Sequence, residues 1–256
     1  MKRKTAKVNG INISYLDNEK EGQSMVCLHG HFGMSSMFTF VESFFNGRII
    51  LPDLRGHGFS DHASSYSRLD YIQDLNGLIN ELKLQNPILM GHSLGGVNVY
   101  QYASMNKNVK MIIVEDIGTE INLSNEFVAD FPESFDNIGD VNNEFVKHNM
   151  VMGSYFPESL YYDGIKWKFR FNYQDMIQSQ KELNGNYWKD WENIQCPVLL
   201  MHGKKSWACT TENINEMAAR NKNVTLKIYE NAGHTIRDDE RKQFCEAVND
   251  FIVKNR

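Results

Sequence analysis

PILMGHSLGGVNVY, residues 87–100, sets one serine between glycines at the point where an apolar run gives way to a segment that can form a helix. Gly91, Ser93 and Gly95 fit the pattern GxSxG, a sharp strand-to-helix bend that lifts a serine hydroxyl off the end of a sheet. Only small neighbours tolerate so tight a backbone, and a helix starting near Leu94 aims free N–H groups and its positive end at the hydroxyl. Taken alone, the pentapeptide equally fits a plain turn with a capping serine. The residues around it decide.

On either side of the bend, the runs INISYL, SMVCLHG, GRIILPDL, VKMIIVEDI, CPVLLMHG and TLKIYENAG alternate with longer amphipathic stretches. Short apolar runs split by helical segments predict strands buried on both faces of a mostly parallel sheet, an α/β architecture. The last helix is expected to bury Phe244, Val248, Phe251 and Ile252, with Asp238 or Asp239 as its cap. Between Gly118 and about Ile194 the strand pattern lapses, which predicts an insertion. A chain of 256 residues with 41% apolar and 23% charged content suits one compact domain carrying it. The formal charge of −5, with no cluster of Lys and Arg among aromatics, argues against a nucleic-acid partner. The basic start leads into no apolar stretch, and no run of 18 apolar residues follows, so the expectation is a cytoplasmic protein with no membrane partner. Cys27, Cys196, Cys209 and Cys245 show neither CxxC nor zinc spacing and are read as incidental thiols.

Upstream of the bend, VCLHGHFG ends a strand in His29-Gly30 with Gly33 following, and LPDLRGHGFSD ends the next. With the GxSxG bend third in order, the chain resembles the α/β-hydrolase superfamily from about Val8 to Ile252. The resemblance implies an α/β-hydrolase fold, a mostly parallel sheet flanked by helices. Residues 1–118 and 194–256 would form the core and 119–193 a helical cap. It implies Ser93 as nucleophile and His234, in YENAGHTIRDDE, as its base. His29 is expected to brace a loop, His57 to belong to a glycine-rich turn, and His92 to point away from the bend; His148 and His202 carry no motif. The family's usual acid position reads KKSWACTTEN, where Ser206 replaces the carboxylate. The acid is instead expected after the sixth strand, in MIIVEDIGTE. Consecutive strand residues face opposite sides, so one of Glu115 and Asp116 serves; Asp116 is chosen, similar in placement to the acid of haloalkane dehalogenases. Glu115 becomes a neighbour or surface carboxylate. By the same resemblance the backbone N–H groups of Leu94 and His31 form the oxyanion hole.

The insertion is rich in aromatics. Phe127, Phe131 and Phe135 recur every four residues, though Pro132 interrupts any single helix, and most of these rings are expected to form the insertion's own core. Acids from 115 to 144 occur with no Lys or Arg between Ile112 and Val146, which either disfavours anionic substrates or marks a solvated face. The whole reads as a serine hydrolase without cofactor or metal, acting on a small-molecule ester, thioester or amide with a modest apolar acyl group. Cleavage of a carbon–carbon bond in a diketone-like substrate, and a slow ligand-binding member of the fold, remain the alternatives.

Overall fold

The computed structural model describes residues 1–150, 152–153 and 155–255. In chain order the core begins with β1 (Lys2–Val8), β2 (Ile11–Asp17), β3 (Ser24–Leu28), β4 (Arg48–Pro52), α1 (Arg68–Glu81), β5 (Ile88–His92), α2 (Leu94–Met105) and β6 (Met111–Glu115). Residues 116–197 then supply β7 (Glu120–Ile121), α3 (Ile138–Lys147), α4 (Tyr155–Ser159), β8 (Leu160–Tyr162), β9 (Trp167–Phe169), α5 (Tyr173–Leu183), β10 (Gly185–Asn186) and α6 (Trp188–Glu192). The core resumes with β11 (Val198–Gly203), α7 (Thr211–Arg220), β12 (Val224–Tyr229), α8 (Ile236–Asp239) and α9 (Arg241–Lys254).

The main sheet has eight strands in the order β1-β2-β4-β3-β5-β6-β11-β12, parallel from β4 to β12. Strands β3, β5 and β6 are buried at every position, as unalternated apolar runs require. Their order reverses around β3, which makes the crevice above β3 and β5 a topological switch point, the place where open α/β sheets take ligands.

Strand β1 was not among the expected strands. Its residues alternate between exposed and buried, and it pairs antiparallel with β2. The link is Asn9-Gly10 with φ of 48° and 81°, the two-residue turn of positive φ that right-twisted strands prefer. Lysines on this edge blunt further pairing.

One core packs α1, α2 and α7 with Tyr187 and Trp191 of the insertion; the other holds α9 and the insertion's buried phenylalanines in a single cluster. Helix α9 buries Phe244, Val248, Phe251 and Ile252 as expected. Its cap differs: Glu240 stands at the N-cap, while Asp239 accepts the Gly233 N–H at 2.8 Å and Asp238 pairs with Arg241. Between β6 and β11 the chain leaves the sheet. Helices there are joined by two short antiparallel pairs, β8 with β9 and β7 with β10, a mixed arrangement where helices alone were expected. Phe127, Phe131 and Phe135 share no helix, in keeping with Pro132. Among the described residues, no helix is long and apolar enough to cross a membrane.

Candidate active site

Ser93 stands between β5 and α2 with φ 53° and ψ −119°, a left-handed backbone that a non-glycine residue adopts only when its surroundings hold it there. Its glycine neighbours are required by close approach. A Cβ at Gly91 would lie 2.1 Å from the Gly95 carbonyl oxygen, and one at Gly95 2.2 Å from that of Leu28. The Ser93 side chain caps nothing, so the plain-turn reading of the pentapeptide falls away. Its Oγ has no hydrogen-bond partner among the described residues, and neither do the N–H groups of Leu94 and His31. The bend therefore presents a free hydroxyl above the positive end of a 12-residue helix.

Glu115 ends β6 and Asp116 follows it, and both are fully buried. Asp116 leaves the strand with φ 52°, and the two carboxylates meet different partners. Asp116 Oδ2 accepts from His234 Nδ1 at 2.7 Å and from Ser206 Oγ at 2.5 Å; Oδ1 accepts from His202 Nδ1 at 2.8 Å and from the Gly203 N–H at 3.0 Å. Burial by itself raises this carboxyl, but the bonds from His202 and His234 outweigh it and hold Asp116 below the usual carboxylate range. Glu115 is no surface group. It accepts from the Arg237 N–H at 2.9 Å and pairs with the Arg237 guanidinium at 2.8 Å, and burial keeps its carboxyl above the ordinary value despite that charge. The pair clamps the chain three residues past His234.

A carboxylate only accepts, so His234 donates from Nδ1, and in the neutral ring Nε2 is the acceptor. The imidazole is 12% exposed and has two ring neighbours, His92 at 4.5 Å and Trp207 at 4.7 Å between centroids. Ser206, in the segment where the resemblance implied an acid, donates to Asp116 instead.

His29 braces the loop after β3, as expected. The Leu54 N–H donates to its Nε2 at 3.0 Å, which leaves Nδ1 to donate to the Gly30 carbonyl at 2.7 Å, and burial lowers its pKa to about 4. His31 Nε2 lies 2.8 Å from Ser179 Oγ on α5, which also meets Tyr71. In DLRGHGFS the polar residues hold the loop: Arg55 grips Asp74 through two bonds of 2.7 Å, and Asp53 accepts the Ser35 N–H at 2.7 Å. His57 donates to the Arg55 carbonyl, also a packing role.

Three residues of this site were not anticipated. His92 does not point away: its Nε2 donates to the His234 carbonyl at 2.8 Å. That leaves Nδ1 as an acceptor for the Tyr155 hydroxyl at 2.8 Å, while the Tyr155 oxygen accepts the Gly30 N–H. Tyr155 reaches in from α4, so close that a Cβ on Gly33 would lie 2.6 Å from its ring. Burial lowers the pKa of His92, which keeps this ring neutral. His202 is the third. Strand register could have found it, because Met201 pairs with Glu115 and the next residue must stand beside Asp116. No local pattern marks Tyr155. Asp116 Oδ1, His202 Nδ1 and Cys209 Sγ lie within 4.8 Å of one another, a set of atoms able to hold a metal. Each is in use as a hydrogen-bonding group, with the Cys209 thiol 3.8 Å from Oδ1.

An eight-stranded α/β sheet with a strained serine after one central strand and a histidine–carboxylate pair after its neighbour defines a class. The chain belongs to the alpha/beta hydrolase family, whose model matches residues 25–247. It is 23% identical to a putative 2-succinyl-6-hydroxy-2,4-cyclohexadiene-1-carboxylate synthase of Bacillus subtilis, over 96% of each chain. It is 24% identical to the sn-1-specific diacylglycerol lipase ABHD11 of Mus musculus, over 98% of this chain and 88% of the relative. Among solved structures, an E-2-(acetamidomethylene)succinate hydrolase superposes with a TM-score of 0.86 at 20% identity, covering 98% of each chain. An esterase from Exiguobacterium antarcticum gives 0.77 at 24% identity, over 97% of this chain and 98% of that one. These likenesses carry the fold and the hydrolase class.

Proposed function

We propose that the protein is a serine hydrolase that cleaves an ester, thioester or small amide with an apolar acyl group through Ser93, His234 and Asp116. One observation carries the reading: a free serine hydroxyl in a strained bend after β5, and, after the neighbouring strand β6, a buried carboxylate that fixes one nitrogen of an imidazole at 2.7 Å. Asp116 holds the tautomer in which His234 Nε2 can accept a proton. His234 takes the Ser93 proton as Oγ bonds to the carbonyl carbon, then returns it to the leaving heteroatom as the acyl bond breaks. Water repeats the sequence and frees the acid. The negative oxygen between these steps falls to the N–H groups of Leu94 and His31, both without another acceptor.

The apolar acyl preference rests on the rings beside the oxyanion loop. Phe32 stacks on Phe156 at 4.8 Å and meets Phe171 at 5.2 Å and Phe127 at 5.7 Å. Residues 119–193 act as the cap in this reading, with Tyr155 and Ser179 as its contacts to the catalytic loops. A fluorophosphonate probe tests the nucleophile: the wild-type protein should be labelled on Ser93 and the Ser93→Ala protein should not. A panel of esters, thioesters, lactones and amides then identifies the bond. Equal labelling of both proteins would end the proposal.

A further inference from the structure

Trp207 is 71% exposed, yet its indole is held beside the proposed base, 4.7 Å from the His234 ring. The turn that carries it is anchored on both sides. Ser206 donates to Asp116 Oδ2 and accepts the Ala208 N–H at 3.0 Å, and the Lys205 N–H donates to the Ala232 carbonyl at 2.9 Å. An exposed indole on a free loop would be an ordinary surface ring. This one has a fixed station relative to the acid and the base.

The chemistry of acyl transfer gives that station a use. The base that accepts the serine proton must hand it to the leaving group, so the leaving heteroatom comes within hydrogen-bond reach of His234 Nε2. The remainder of the leaving group then lies along the flank of the imidazole. Of the two rings beside the imidazole, His92 is 1% exposed and bonded through both nitrogens. Trp207 is the open one. The aromatic cluster around Phe32 lies instead by the oxyanion loop, where the acyl part belongs.

We infer that Trp207 is the leaving-group platform, selecting substrates whose alcohol or thiol part carries an aromatic or broad apolar group. The inference rests on the serine-hydrolase reading and deepens it. The Ser93 oxygen bonds to the acyl carbon, the bond from that carbon to the alcohol oxygen breaks, and the proton passes from Ser93 through His234 to the departing alcohol.

Benzyl acetate and ethyl acetate test it, because both release a primary alcohol and form the same acetyl-enzyme. The ratio of their kcat/KM values should fall about tenfold in Trp207→Ala, the scale of one lost aromatic contact, and recover in Trp207→Phe. An unchanged ratio overturns the inference and leaves the serine reading in place. If the wild type turns over neither ester and takes no fluorophosphonate on Ser93, the serine reading fails. Tryptophan fluorescence titrated with benzyl alcohol then decides the platform alone: saturable quenching that vanishes in Trp207→Phe supports it, and no saturable change refutes it.

Discussion

On the sheet side of the cleft, Ser93, Asp116 and the His29-Gly30 turn each stand at the end of a fully buried parallel strand. On the insertion side, Tyr155 and Ser179 reach the same space from helices of five and eleven residues outside the main sheet. Ladder hydrogen bonds and close-packed neighbours on both faces leave the first set almost no freedom. The second set meets the site through a few side-chain bonds: Tyr155 to His92 and Gly30, Ser179 to His31. In the serine-hydrolase reading proposed above, the floor holds the reacting groups in register and the roof shapes the space over them. Changes to the floor should cost rate by orders of magnitude, and changes to the roof should tune it.

The largest effect tests the floor itself. Ser93→Ala should lower kcat by up to about a millionfold, as in triads where the members act as a unit. Asp116→Asn should cost about ten-thousandfold, since an amide no longer fixes the required tautomer of His234. Glu115→Gln probes the adjacent position and should behave differently. It leaves the Arg237 guanidinium buried without its counter-charge, which costs about 3–5 kcal/mol and lowers Tm by roughly 10 °C. Its activity per folded molecule should stay within about an order of magnitude of wild type. Thermal unfolding and steady-state rates on the same preparations separate the two. A rate collapse in Glu115→Gln with Asp116→Asn spared would exchange their roles.

The floor also depends on imidazoles that must stay neutral. Burial lowers His29 to about 4, and it moves His31, His57 and His92 the same way. Between that value and the ordinary 6.5 the unfolded chain binds more protons than the folded one, so stability rises with pH. The contribution is full above about pH 6.5 and is lost as pH falls toward 4, with His29 alone worth about 3 kcal/mol. Urea midpoints measured from pH 7.5 down to 4.5 should fall steeply. A flat profile would mean that the histidines are charged in the fold.

The two sides differed as much in what the sequence revealed. Ser93 and Asp116 were legible as candidates because each follows a buried strand whose apolar run is plain in the sequence, and His234 through the resemblance, since its strand is only half-buried. Alternation was the ground for preferring Asp116 to Glu115, whereas in the fold Asp116 stands past the strand with φ 52°. Strand β1 escaped because its lysines mask the alternation, although Asn9-Gly10 carried the hairpin signal. His202 and Tyr155 escaped for a deeper reason. Their partners stand 86 and 125 residues away, at Asp116 and Gly30; only the register of β11 on β6 sets His202 beside Asp116, and no pattern within its own segment places Tyr155. The insertion's aromatic content predicted a core; which ring reaches the catalytic loops is set by packing that only the folded chain displays.

Tyr155→Phe draws the line between floor and roof most finely. The ring stays, so its packing against Gly33 is kept. What goes is the hydroxyl: Gly30 loses an acceptor for its N–H, and His92 Nδ1 loses its donor. The His234 carbonyl still demands the proton on Nε2, so His92 cannot switch tautomer without breaking its hold on the loop that carries the base. A buried acceptor left unpaired costs about 1–3 kcal/mol. If part of that falls on the transition state, kcat drops about tenfold while KM changes less, because the bond is to the catalytic loop and not to substrate. The sharper readout is the His92 ring itself, whose nitrogen chemical shifts should move toward those of a solvated or mixed tautomer. A loss as large as that of Asp116→Asn would place Tyr155 with the floor, and the division drawn above would fail. No change in rate or in the His92 resonances would make the hydroxyl mere packing, and the roof would touch the catalytic loops through Ser179 on His31 and Ser159 on Phe32.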